Sequence, residues 1–177
     1  RATLQLLIYP STDILSQRPS RRTYANGYFL DTESLTWFFE KYLPEEDDWQ
    51  DWRASPLLAG RFDDLPPAVF ITAGCDPLTD DCKAYAAALE SAGVPATMHE
   101  FAGMVHGFLT LGKFFRQSGE AVELAGKALD LLNGLGHNTF TFAGLLVSHG
   151  GRFRDFFGVA CYILHGRGHF VHRSEEH

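Results

Sequence analysis

Residues 68–108, AVFITAGCDPLTDDCKAYAAALESAGVPATMHEFAGMVHGF, decide the fold. Ala68 to Gly74 is apolar and partly β-branched, and it stops at Cys75-Asp76-Pro77-Leu78, where proline cannot continue a strand ladder. Asp80 to Ala92 then carries Cys82, Tyr85, Leu89 and Ala92 on one helical face, with Gly93 placed to end the helix in a left-handed conformation. Val94-Pro95 turns the chain back, Ala96 to Phe101 supplies another strand, and Ala102 to Phe108 forms the loop beyond it. The pattern predicts a strand-helix-strand crossover, with Asp76 and His106 thirty residues apart at corresponding strand ends.

A parallel crossover puts the two strand C-termini side by side, so Asp76 and His106 are expected to be neighbours. In open parallel sheets, ligands bind beyond the carboxyl ends of the strands. A carboxylate beside an imidazole fixes its tautomer and stabilises the imidazolium formed when it takes a proton from a nucleophile. Taken singly, each residue has a plain explanation: Asp before Pro is a common turn or cap, and a lone loop histidine is commonly a surface residue. The crossover spacing joins them into two parts of a hydrolase triad. The third part is missing from the sequence, because no Ser or Cys from Arg1 to His177 lies in a G-x-S-x-G turn.

Outward from this unit, Leu4 to Tyr9 is a near-continuous apolar run ended by Pro10, the pattern of a central parallel strand buried on both faces. Ser11 to Asn26 is polar. Asp31 can cap a helix whose apolar positions Leu35, Phe38, Phe39 and Tyr42 recur at helical spacing, with Pro44 at its end. Trp49 to Pro67 reads as a long connection, a candidate substrate lid. Ser118 to Leu132 predicts a further helix with Val122, Ala125, Leu129 and Leu132 on one face and Ser118 as a cap.

Composition bounds the function. The 177 residues are 45% hydrophobic and 21% charged, the usage of a globular domain, and the net charge of -7 offers no basic patch for nucleic acid. The acidic run Glu45-Glu46-Asp47-Asp48 reads as a solvated loop. Cys75, Cys82 and Cys161 are odd in number and irregularly spaced, which argues against a disulfide framework and for a reducing, cytoplasmic compartment. No stretch has the length of a signal or spanning segment. The chain opens with Arg1 and enters a strand almost at once, so a natural start upstream is expected.

Six short words carry a resemblance: Leu7-Ile8-Tyr9-Pro10, Asn26-Gly27-Tyr28, Ser55-Pro56-Leu57, Leu65-Pro66-Pro67, Ala73-Gly74-Cys75-Asp76-Pro77-Leu78 and Gly103-Met104-Val105-His106-Gly107-Phe108. In that order they resemble the hormone-sensitive-lipase-like branch of the α/β-hydrolases, over roughly residues 1–132. The resemblance implies an α/β fold, here the C-terminal part of an α/β-hydrolase with part of its helical lid at about 11–60. It implies a carboxylic ester hydrolase acting on small acyl esters without cofactor or metal, with Asp76 as triad acid and His106 as base. The family's nucleophile serine and glycine-rich oxyanion motif come earlier in the chain and would precede Arg1. This chain alone is therefore expected to be inactive.

Two expectations follow from such a truncation. The strand Leu4 to Tyr9 would have an unpaired outer edge, inviting self-association. The alternative to an enzyme is a binding or interaction module, docking through that edge and through the aromatic helix of Trp37, Phe38, Phe39 and Tyr42. Tyr28, Phe29 and Trp37 either line an apolar acyl or aryl pocket or pack the lid on the core.

Beyond residue 132 the character changes. Residues 133–177 hold six of the eight histidines (His137, His149, His165, His169, His172 and His177), are rich in Gly and Phe, and contain no lysine. Three readings stand for this tail: an irregular apolar extension without chemistry, which is favoured; a metal site of His165, His169 and His172 on one helical face; and an oxyanion motif in Ser148-His149-Gly150-Gly151. Gly166 and Gly168 weigh against the helix.

Overall fold

A computed structural model describes residues 2–134 and 160–165. Four strands form one sheet in the order β3-β2-β1-β4: β1 is Ala2–Ile8, β2 Ala68–Cys75, β3 Ala96–Val105 and β4 Ala160–His165. β1 pairs parallel with β2, and β2 parallel with β3. Helix α3, Thr79–Ser91, makes the crossover between β2 and β3. It ends as the sequence requires: Gly93 has φ +78, its N–H donates to the Glu90 carbonyl, and the Val94 N–H donates to that of Leu89.

The sheet is buried on both faces, as its continuous apolar strands dictate. On one face Leu7 and Phe70 pack with Cys82, Tyr85 and Leu89 of α3. On the other, Leu6, Ile8 and Ile71 pack with Phe108 and with Ala121 of helix α4, Arg116–Gly134. Phe70, Ile71, Leu89 and Phe108 have no accessible surface, and each such side chain contributes about 1.5–3 kcal/mol of burial. The α4 stripe follows expectation at Ala125 and Leu129, which pack against this cluster, and differs from it elsewhere. Ala121 and Ala128 face the core while Val122 is 56% exposed, and Ser118 lies inside the helix, its hydroxyl donating to the Phe108 carbonyl at 2.6 Å.

Between β1 and β2 the chain forms helices α1, Pro19–Thr23, and α2, Thr32–Tyr42, with 3-10 turns at Glu46–Gln50 and Pro56–Leu58. Asp31 caps α2, accepting from the Ser34 N–H at 2.7 Å, and that bond holds its carboxyl below the usual value. Leu35 and Phe39 face inward with Ile14, Leu30, Trp49 and Leu78. Tyr42, expected on the same stripe, is 67% exposed.

One expectation is corrected outright. The outer edge of β1 is not open: β4 pairs with it antiparallel, Ile8 opposite Ala160 and Ala2 opposite His165. Part of residues 133–177 is thus a sheet strand rather than irregular extension, and α4 runs two residues past the expected boundary at 132. His165 ends a strand, so it does not sit on a helical face; His169, His172 and residues 148–151 lie outside the described residues. Among the described residues, no group of three potential ligands could hold a metal ion.

Candidate active site

Asp76 follows the last residue of β2 and His106 the last residue of β3. What brings them level is a break in register. Ala73 lies opposite Phe101, an offset of 28, and Cys75 lies opposite Val105, an offset of 30. Continued unbroken, the first register would set Asp76 beside Met104. The extra residues of β3 bulge at Gly103, whose φ is +77, and the bulge crowds Gly74: a Cβ there would stand 3.0 Å from the Ala102 Cα and 3.3 Å from the Gly103 nitrogen. Glycine at 74 lets the two backbones close, and the ladder resumes with Asp76 and His106 adjacent.

The two side chains meet out of water. Asp76 is 1% and His106 2% exposed, and His106 Nδ1 lies 2.7 Å from Asp76 Oδ2. An ionised carboxylate only accepts, so Nδ1 carries the proton and donates it. The other oxygen, Oδ1, accepts from the Leu78 N–H at 2.8 Å, which fixes the carboxylate plane. Thr79 donates through its hydroxyl to the Ala73 carbonyl and through its N–H, at 3.1 Å, to the Asp76 carbonyl, bracing the turn. The imidazole is also packed: the Tyr9 ring centroid lies 4.5 Å from it, at an interplanar angle of 57°. Gly107 has φ +77 and turns the chain immediately after the histidine.

The turn at Asp76 is tied to the connection that precedes it. Ser20, at the start of α1, donates its hydroxyl to the Pro77 carbonyl at 2.8 Å, accepts there from the Asp80 N–H, and gives its own N–H to the Asp80 carboxylate. Next to it Asp81, with no accessible surface, accepts from Arg21 Nε at 2.9 Å and Nη2 at 2.6 Å, and from the Ser16 hydroxyl. Burial pushes its carboxyl above the ordinary value against the pull of Arg21, Ser16 and Arg18. Read from the sequence, Asp80 and Asp81 are first-turn helix residues, which is where they stand; what the sequence did not signal is that their partners come sixty residues earlier. Cys82 is buried, its Sγ 3.4 Å from the Pro10 carbonyl, and burial pushes its thiol far up, so it is an inert packing residue.

This frame of parallel strands and crossover helix has known counterparts. A family model described as the alpha/beta hydrolase fold matches residues 1–110. The chain belongs to the alpha/beta hydrolase fold family. As an alpha/beta hydrolase it is 38% identical to the ethyl acetate hydrolase of Pseudomonas putida, over 71% of this chain and 40% of that protein. It is 41% identical to the carboxylic ester hydrolase LipN of Mycobacterium tuberculosis, over 61% of this chain and 29% of that protein. Among solved alpha/beta hydrolases it superposes on an ester-hydrolase from the metagenome of Lake Arreo, complexed with a bipyridine phosphonate derivative, with a TM-score of 0.71 and 43% identity. That match covers 75% of this chain and 42% of the other. A hyperthermophilic esterase of the archaeon Pyrobaculum calidifontis gives 0.70 at 31% identity, covering 74% and 44%. The chain spans less than half the length of each of these relatives.

Proposed function

We propose that this chain carries the acid and base of a carboxylic ester hydrolase, with His106 as general base and then acid and Asp76 as the carboxylate that orients it. The observation that supports this best is the buried 2.7 Å contact between Nδ1 and Asp76. With Nδ1–H held by the carboxylate, the proton of an attacking hydroxyl falls to Nε2, and Asp76 stabilises the imidazolium until the proton passes to the departing alcohol. No G-x-S-x-G word occurs in residues 1–177, so on this reading the attacking serine and the oxyanion donors come to the strand ends from a segment outside them. Small acyl esters are the expected substrates, as the likeness to the ethyl acetate hydrolase of Pseudomonas putida suggests, with the connection at about 11–60 as part of the lid. A cytoplasmic setting fits the free thiols of Cys75 and Cys82. Among the described residues no helix is long and apolar enough to cross a membrane.

The non-catalytic alternative, an interaction module, draws support from Trp37 and Tyr42, which are 41% and 67% exposed on α2. It loses the open edge of β1, and Phe39 is turned inward onto Trp49. Hydrolysis of a short-chain nitrophenyl ester separates the readings. The assay compares this chain alone, the chain extended by its native upstream sequence, and both with His106→Ala. Turnover in the extended form alone, cut about 10²–10⁴-fold by the substitution, is the expected result. Silence in both forms would favour the module, and turnover by the short form would demand a different nucleophile.

A further inference from the structure

Among the described residues, only two other than glycine have a left-handed backbone, Tyr9 at φ +36 and Phe29 at φ +73. Bulky side chains avoid this region, and where it persists the surrounding structure imposes it; such residues concentrate at functional sites. Both stand against the same turn. The Tyr9 ring lies 4.5 Å from the His106 ring. The Phe29 ring edge comes within 3.5 Å of where a Cβ on Gly107 would be. They reach it from different parts of the chain, Tyr9 from the end of β1 and Phe29 from the loop before α2.

Tyr9 is the more constrained of the two. It precedes Pro10, which presses the preceding residue toward extended backbone. Even so, its N–H donates to the Ile71 carbonyl at 2.7 Å, and the left-handed turn directs its ring onto the imidazole instead of along the strand. The ring is 5% exposed and also packs on Phe108, centroid to centroid 6.1 Å. The hydrogen bond through Nδ1 sets the direction of the imidazole. The Tyr9 ring, tilted against it at 57°, limits its rotation about that bond.

We propose that Tyr9 is a positioning residue for His106: its ring holds the imidazole in the rotamer in which Nδ1–H meets Asp76, and Phe29 braces the next residue, Gly107. This deepens the reading of His106 as base, but the test reads the ring and not ester turnover, so its failure leaves that reading standing.

The experiment is nitrogen-15 and proton NMR of the His106 ring in this chain, compared with Tyr9→Phe, Tyr9→Leu and, as a control for general loss of stability, Leu35→Ala. The wild type is expected to show one slowly exchanging, downfield Nδ1–H resonance and a single tautomer pattern. Tyr9→Phe keeps both. Tyr9→Leu, which retains apolar volume without the flat ring, loses the Nδ1–H resonance and gives an averaged tautomer pattern while the amide spectrum stays dispersed. Leu35→Ala leaves the resonance in place. A sharp Nδ1–H signal in folded Tyr9→Leu would overturn the proposal, as would equal loss in Leu35→Ala.

Discussion

At the scale of single residues, the chain places its strongest electrostatic demands beside the candidate site. Asp81 has no accessible surface and depends on Arg21, whose two nitrogens both reach Oδ2. Deleting Arg21 leaves the buried carboxylate with Arg18, 3.4 Å from Oδ1, as its remaining cation, so Arg21→Met is expected to cost about 3 kcal/mol, the lower end for a broken buried pair, at neutral pH. The pH dependence has a definite sign. The folded-state value of Asp81 is already raised above its ordinary 3.8, so its contribution is full below that value and is lost as pH rises through the folded one. Without Arg21 the carboxyl rises further, and the deficit of the variant should shrink as the pH is lowered toward the acid range, where Asp81 takes up a proton. Urea unfolding of both proteins at neutral and mildly acid pH measures this; a deficit independent of pH would show that Arg21 acts through packing alone. Neither partner is conspicuous in the sequence, because Arg21 lies in a polar run and Asp81 looks like any acidic residue opening a helix.

At the scale of elements, the crossover was legible and the register was not. The apolar runs, Asp76-Pro77, Gly93 and the thirty-residue spacing announced strand, helix and strand in the right order, and α3 falls within a residue of its expected limits. Yet β3 extends to Val105 instead of ending at Phe101, and the shift of offset from 28 to 30 is what sets Asp76 beside His106. A register shift depends on how two backbones fit, which neither strand encodes by itself. Gly74 is its pivot. Gly74→Ala places a methyl 3.0 Å from the Ala102 Cα, against backbone that cannot swing away. The expected cost is about 1–3 kcal/mol, together with loss of the ordered Asp76–His106 contact. Thermal melting gives the first, and the His106 Nδ1–H resonance gives the second; a variant matching wild type in both would mean that β3 relaxes freely around the bulge.

At the scale of the whole molecule, the sheet is finished by a strand from beyond residues 1–110, which match the family model. β4 covers the β1 edge that the sequence left open, six residues drawn from a histidine- and phenylalanine-rich stretch without alternating polarity. Ending the chain after Gly134 would expose seven residues of apolar β1. Exposed edges of this kind pair with other chains. Sedimentation should therefore show concentration-dependent association of the shortened chain that is absent from the full 177 residues. Equal behaviour of the two would mean that β4 does not protect the edge.

The sequence by itself determined the family, the order of the core elements and the two residues of the candidate site, because these rest on local signals: apolar periodicity, proline and glycine punctuation, and short words around Asp76 and His106. Only the tertiary structure decided which surfaces those residues meet. The register shift at Gly74, the Tyr9 ring on the imidazole, the Arg21–Asp81 pair and the covering of β1 all join segments tens of residues apart or more. They depend on the packing of one backbone against another, for which a linear pattern carries no sign.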